Sequence, residues 1–267
     1  MDIHLRKTSL VDYPGEIAAV FFFPGCNLRC PWCQNRELLP GGSPPEGEPG
    51  FFINREAAFA RIQKRRAVLG GVVLSGGEPT LAGGLAPLIR RIKDLGLKVK
   101  LDTNGMAPKV LAGLLGDEKT RPDYIALDLK LSPRRYGELL PPQGASGSAG
   151  PDAAGEPGDR NNIRALEKPG EALKKSAALI RVSGVPHEFR TLVFPNGFFT
   201  KDDIAGLIPL AAGSPWYFRP FRPGNCLDPV WNNEEETKPE QIEALTRIAR
   251  AGGAGPYFRG KSGRPPG

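Results

Sequence analysis

Long apolar runs are absent from this sequence, and none approaches the ~20 residues that a membrane-spanning helix needs. No membrane role is expected. The opening residues, Met1 to Lys7, lack the apolar stretch and small-residue cleavage site of a secretory signal. A cytoplasmic location is the reading that follows. Cysteine is scarce: four in 267 residues are too few for a secreted disulfide framework. The formal net charge is +7, but no basic run is interleaved with aromatics as in a nucleic-acid groove. No nucleic-acid partner is expected. An acidic protein partner remains compatible with the charge.

Three of the four cysteines fall within eight residues, as Cys26-Asn-Leu-Arg-Cys30-Pro-Trp-Cys33. This spacing supplies three thiolates and no fourth. A structural zinc site normally closes with four ligands, and a cubane iron–sulfur cluster usually takes four thiolates. Three therefore leave one metal position open, as catalytic metal sites do. A zinc knuckle completed by Cys226 or His187 is the alternative. A second signal is Ser75-Gly76-Gly77-Glu78-Pro79. Adjacent glycines let backbone approach closely or adopt positive φ, and Glu78 sets an anionic acceptor beside them. A plain strand-to-helix turn is the alternative.

Short apolar runs read as strands over 16–23, 71–74, 97–101, 124–129, 187–194 and 216–221. Helices are expected over 55–69, 85–96, 108–115, 171–182 and 201–211. In the second of these, Leu85, Leu88, Ile89, Ile92 and Leu95 share one face. Six strands alternating with helices predict an α/β fold built on a parallel sheet. The segment 141–162 has almost no large apolar residue and reads as a disordered loop insertion. Ala251 to Gly267 reads as a frayed tail. Residues 1–230 are expected to form the main domain, with 231–267 a C-terminal helix and flexible tail.

The cysteine motif followed by Gly76-Gly77-Glu78-Pro79 resembles the radical S-adenosylmethionine superfamily. Lys7-Thr-Ser-Leu-Val-Asp-Tyr-Pro-Gly15, Cys33-Gln-Asn35, Leu101-Asp-Thr-Asn-Gly105 and Ala126-Leu-Asp-Leu-Lys130 are similar, more narrowly, to glycyl-radical-enzyme activases. The activating proteins of anaerobic ribonucleoside-triphosphate reductase are the most similar of these. The resemblance implies a partial, open (β/α)6 TIM-type barrel with parallel strands. It implies a 4Fe-4S cluster on Cys26, Cys30 and Cys33, with S-adenosylmethionine at the open iron. Cofactor contacts are implied at Trp32, Gln34, Gly76, Gly77, Glu78, Pro79, Asp102, Thr103, Asn104, Asp128, Lys130, Arg190 and Arg222. Asp102, Thr103 and Asp128 match residues that hold a monovalent cation in a relative. Gln34 stands where many relatives carry histidine. The implied partner is a glycyl radical enzyme such as anaerobic ribonucleotide reductase, and the implied electron donor a flavodoxin or ferredoxin.

Plainer roles compete for several of these residues. Asp102 and Asp128 suit helix caps. Lys130, Arg190 and Arg222 suit solvated charges. Cys226 reads as a small buried thiol, and His4 and His187 as structural or surface residues. A radical enzyme acting on a small molecule, or a zinc-binding module without catalysis, are the competing functions.

Overall fold

The computed structural model of the protein describes residues 1–45, 50–141 and 168–258. The expected insertion at 141–162 lies outside these apart from Pro141, and so does 259–267 of the expected tail. Six apolar runs form strands where the sequence predicts them: β2 (Ala18–Phe23), β4 (Gly71–Gly76), β5 (Lys98–Thr103), β6 (Tyr124–Asp128), β7 (His187–Val193) and β8 (Trp216–Pro220). Each pairs in parallel with the next. Three further strands are β1 (Asp2–Ser9), β3 (Phe52–Asn54) and β9 (Pro256–Phe258). The nine-stranded order is β3-β1-β2-β4-β5-β6-β7-β8-β9, and the end strands do not pair. β9 runs parallel to β8, so Pro256 to Phe258 continue the sheet where a frayed tail was expected.

The crossovers carry α1 (Arg55–Lys64), α2 (Leu85–Asp94), α3 (Pro108–Gly116), α4 (Pro169–Val182), α5 (Lys201–Ala211) and α6 (Pro239–Ala251). Parallel neighbours need such crossovers, and their helices cover one sheet face. Leu85, Leu88, Ile89 and Ile92 of α2 are buried in the main core. Each contributes about 1.5–3 kcal/mol by leaving water. Proline at the first turn begins α3, α4 and α6, and Thr200 with Asp203 forms a capping box on α5.

Side-chain alternation divides the sheet into two unlike faces. Phe21, Phe23, Val72, Leu74, Val99, Leu101, Ile125, Leu127, Phe189 and Phe218 pack into the helix-side core. On the opposite face the alternate positions begin apolar, with Ala18, Val20 and Val73 clustered around Tyr13. Further along the strands that face becomes polar: Ser75, Lys100, Asp102, Asp128 and Arg190 hydrogen-bond to one another there. The inner face thus collects titratable groups that a core would reject unless paired.

Candidate active site

A cavity of about 350 Å³ opens at the carboxyl ends of the parallel strands. It is lined by Cys26, Cys30, Trp32, Cys33, Gln34, Gly76, Gly77, Glu78, Asp102, Thr103, Asn104, Asp128, Lys130 and Arg190, all expected from the sequence. Pro79 and Arg222 are not in its lining. Pro79 is buried and opens a 3-10 turn capped by Glu78. The Arg222 side chain faces outward and donates to Glu236 Oε1 at 2.8 Å. Asp12 and Ser75, quoted within motifs but given no site role, also line the cavity, as does Arg219, which escaped the sequence reading.

The cysteine loop is fastened on two sides. On the β4 side, Gly77 N donates to Phe23 O at 2.9 Å and Glu78 N to Gly25 O at 2.8 Å. A Cβ at Gly77 would lie 1.9 Å from Gly25 O, and one at Gly76, where φ is +118°, 2.4 Å from Phe23 N. The glycine pair is therefore required for the cysteine loop to lie against β4. On the β8 side, the 222–231 loop crosses over it. Leu227 N donates to Cys33 O at 2.9 Å and Asp228 N to Pro31 O at 2.8 Å. Gln34 Nε2 donates to the carbonyls of Arg222 and Gly224, at 2.6 and 3.2 Å. Trp231 packs on Trp32 at 5.4 Å between centroids and on Phe194 at 5.0 Å.

Glu78 is buried and accepts four hydrogen bonds: from Thr80 N and Oγ1, Thr103 Oγ1 and Asn104 N. Burial pushes its pKa up, and these donors oppose the rise. Its role is to knit the glycine turn to the end of β5. Asn104 Nδ2 in turn donates to Asn27 Oδ1 at 2.8 Å and reaches Cys26 Sγ at 3.6 Å.

The charged floor is a chain of alternating sign. Lys100 Nζ donates to Asp102 Oδ1 at 2.5 Å, and Arg190 Nη1 to Asp102 Oδ2 at 3.3 Å. Arg190 Nε donates to Asp128 Oδ1 at 2.8 Å, and Lys130 Nζ to Asp128 Oδ2 at 3.2 Å. Burial opposes ionisation of both aspartates, but Arg190 with Lys100 or Lys130 outweighs it, and both carboxyls sit below their usual range. Neither aspartate caps a helix. The three residues of the implied monovalent-cation site are engaged by protein partners here. Arg190 bridges the two carboxylates, and the Thr103 hydroxyl donates to Glu78. Lys130 and Arg190 are likewise not solvated charges.

The zinc alternative fails on geometry. His187 bonds Val185 O and Ser214 Oγ. Buried Cys226 lies outside the cavity lining and directs its thiol to Gly224 O. Among the described residues no three His, Cys, Asp or Glu side chains converge on one ion position. The three thiols instead share one wall of a larger cavity, which suits a polynuclear cluster with one thiolate per iron. Burial pushes Cys26 up to about 11 and Cys30 up to about 12, and raises Cys33 as well. Thiolates so placed need a positive partner, which iron supplies. The donor set fits a 4Fe-4S cluster.

A profile of the Radical SAM superfamily matches residues 20–145. A Methanocaldococcus jannaschii protein, provisionally named a glycyl-radical enzyme activating enzyme, is 35% identical over 133 residues, covering 49% of this chain and 51% of that protein. A 7-carboxy-7-deazaguanine synthase of Hyperthermus butylicus is 35% identical over 99 residues, covering 36% of this chain and 38% of that enzyme. The chain thus spans about half or less of these curated relatives. Among solved structures, a radical SAM methyltransferase from Sphaerobacter thermophilus aligns with a TM-score of 0.60 at 16% identity, over 92% of this chain and 67% of that one. Streptococcus suis SuiB bound to S-adenosylmethionine aligns at 0.51 and 14% identity, over 90% and 51%. At these identities the structural likeness is one of fold, a mostly parallel open sheet of the partial TIM-barrel kind. No described helix is long and apolar enough to cross a membrane. The cysteine wall and its glycine clasp both fall inside the matched segment, residues 20–145, and it is this segment that carries the Radical SAM domain.

Proposed function

We propose that the protein is a radical S-adenosylmethionine enzyme that installs a glycyl radical on a partner enzyme. One observation carries the reading: three free thiols and the Gly76-Gly77 backbone meet at the ends of adjacent parallel strands in a sheet that never closes. Cys26, Cys30 and Cys33 would hold three irons of a 4Fe-4S cluster, leaving the fourth for the cofactor. Bound here, cluster and cofactor supply one-electron reduction and a primary carbon radical able to remove a hydrogen atom. The chain's own part is placement. Gly76 and Gly77 hold the cysteine loop against β4. Glu78, Pro79, Thr103 and Asn104 fix the turn beside it. Trp32 and Gln34 form the wall toward the adenine. Lys130, Asp128, Arg190 and Asp102 form a preorganised charged floor, which costs no reorganisation at the moment of reaction. Arg222 has no cofactor contact in this reading. Residues 1–230 carry these parts, and α6 braces them.

The partner would be a glycyl radical enzyme, with anaerobic ribonucleoside-triphosphate reductase the first to test and a flavodoxin or ferredoxin as electron donor. The similarity to a relative named for glycyl-radical enzyme activation supports this choice. Reconstituted protein, cofactor, reductant and the reductase should give a glycyl doublet in electron paramagnetic resonance. Cofactor cleavage with no doublet, across several glycyl radical enzymes, would refute the activase assignment. A small-molecule substrate is the second reading, favoured by the similarity to 7-carboxy-7-deazaguanine synthase. It requires turnover of a metabolite with no protein partner present.

A further inference from the structure

Every cation on the floor of the cavity is engaged except one. Lys100, Lys130 and Arg190 are tied to Asp102 and Asp128. Arg219, on the neighbouring strand β8, is a different case. Its register partner is Leu192, and it lines the same cavity. Its Nε is buried without a hydrogen-bond partner, the one such side-chain atom among the described residues. Arg219 also forms no ion pair with any described residue. The carboxylates around it are already used: Asp102 and Asp128 as above, while Glu188 accepts from Tyr124 at 3.2 Å.

Leaving this buried N–H without an acceptor is costly. An unmade buried hydrogen bond costs about 1–3 kcal/mol, more for a charged group. Native proteins keep few such atoms, and each calls for a cause. The planar fork of arginine suits a carboxylate, which can take two parallel N–H donors. One unpaired cation calls for one negative charge. A phosphate dianion would bring a second charge toward Asp128.

We propose that Arg219 is the receptor for a carboxylate group of the substrate. The assignment rests on the radical S-adenosylmethionine reading of the cavity. The cofactor's own carboxylate belongs beside the open iron, on the sulfur wall. Arg219 stands on β8, four strands along the sheet from the Gly76-Gly77 turn of β4, where a substrate would reach down past the cofactor. For a protein substrate, the group would be an Asp or Glu side chain near the target glycine.

The test uses the anaerobically reconstituted protein loaded with S-adenosylmethionine. The probe is N-acetyl-aspartate methylamide, and its control is the neutral asparagine counterpart. Equilibrium dialysis should show saturable binding of the acid, at least about tenfold tighter than the amide. Arg219→Gln should abolish that preference, and Arg219→Lys should keep part of it. Affinity for S-adenosylmethionine should change by less than about threefold in both variants. Thermal unfolding adds a measurement that separates binding from a structural role. Removing a charge that has no ion-pair partner and whose buried Nε lacks an acceptor should leave the unliganded protein as stable as before, or more so. Equal binding of acid and amide would overturn the proposal, as would acid binding that survives Arg219→Gln. So would a lowered unfolding temperature in the glutamine variant. If instead that variant loses cofactor affinity and the acid displaces S-adenosylmethionine, the carboxylate is the cofactor's. None of these outcomes depends on a glycyl doublet, so the two proposals fail separately.

Discussion

Asp102 shows how a single side chain organises the floor. It holds Lys100, which is only 2% exposed, and shares Arg190 with Asp128. Replacing it by asparagine leaves a buried ammonium without its counter-charge. Breaking such a pair typically costs about 3–5 kcal/mol. The pH dependence follows from the sign of the shift. Asp102 is more acidic in the folded protein than its unfolded value of about 3.9. Its contribution is therefore complete above that value and is lost as pH falls through the lower, folded one. Urea unfolding of wild type and Asp102→Asn should differ most at pH 5–7, and the difference should shrink below about pH 4. Arg190 has a second consequence. With its guanidinium already between the two carboxylates, cofactor affinity should not respond to replacing potassium chloride by tetramethylammonium chloride at constant ionic strength. A loss of about tenfold or more would instead support the monovalent-cation site that the resemblance implies at Asp102, Thr103 and Asp128.

At the scale of elements, the 222–231 loop is the less obvious half of the site. It brings Trp231 against Trp32 and Phe194, and Leu227 and Asp228 against the cysteine loop. Trp231→Ala should destabilise the protein by about 3–5 kcal/mol. It should also shorten the lifetime of the reconstituted cluster, followed by loss of its visible absorbance. Gln34 takes part in the same clamp by donating to two backbone carbonyls, an anchoring role at the position where the resemblance sets a histidine in many relatives. The six central strands were legible because parallel strands buried on both faces leave unbroken apolar runs, such as Ala18 to Phe23. β1 was not, because its charged and polar residues mask the alternation. β3 and β9 have three residues each, too few to show a period. The cysteine and glycine motifs were legible because they are local in sequence. Arg219 was not: Arg219 and Arg222 lie three residues apart with the same chemistry. Strand alternation turns one into the cavity, and the end of β8 releases the other to solvent. The 222–231 clamp is a pairing across nearly two hundred residues, which no local pattern encodes.

The whole molecule is a sheet with two unlike faces. The helix-side face holds the apolar core, and the opposite face holds the charges and the sulfur wall. Stability and chemistry are thereby partly separated: changes under the helices should alter folding first, and changes on the inner face outside the Asp102–Arg190–Asp128 charge chain should alter binding first. The two outermost strands, β3 and β9, do not meet. A sealed ring of strands would admit only what can pass through its mouth, so a long polypeptide could enter only by threading a free end. An unsealed one can be approached from the flank. A bend from the middle of a large folded protein could therefore slip in sideways, react, and withdraw, with neither of its termini ever passing through.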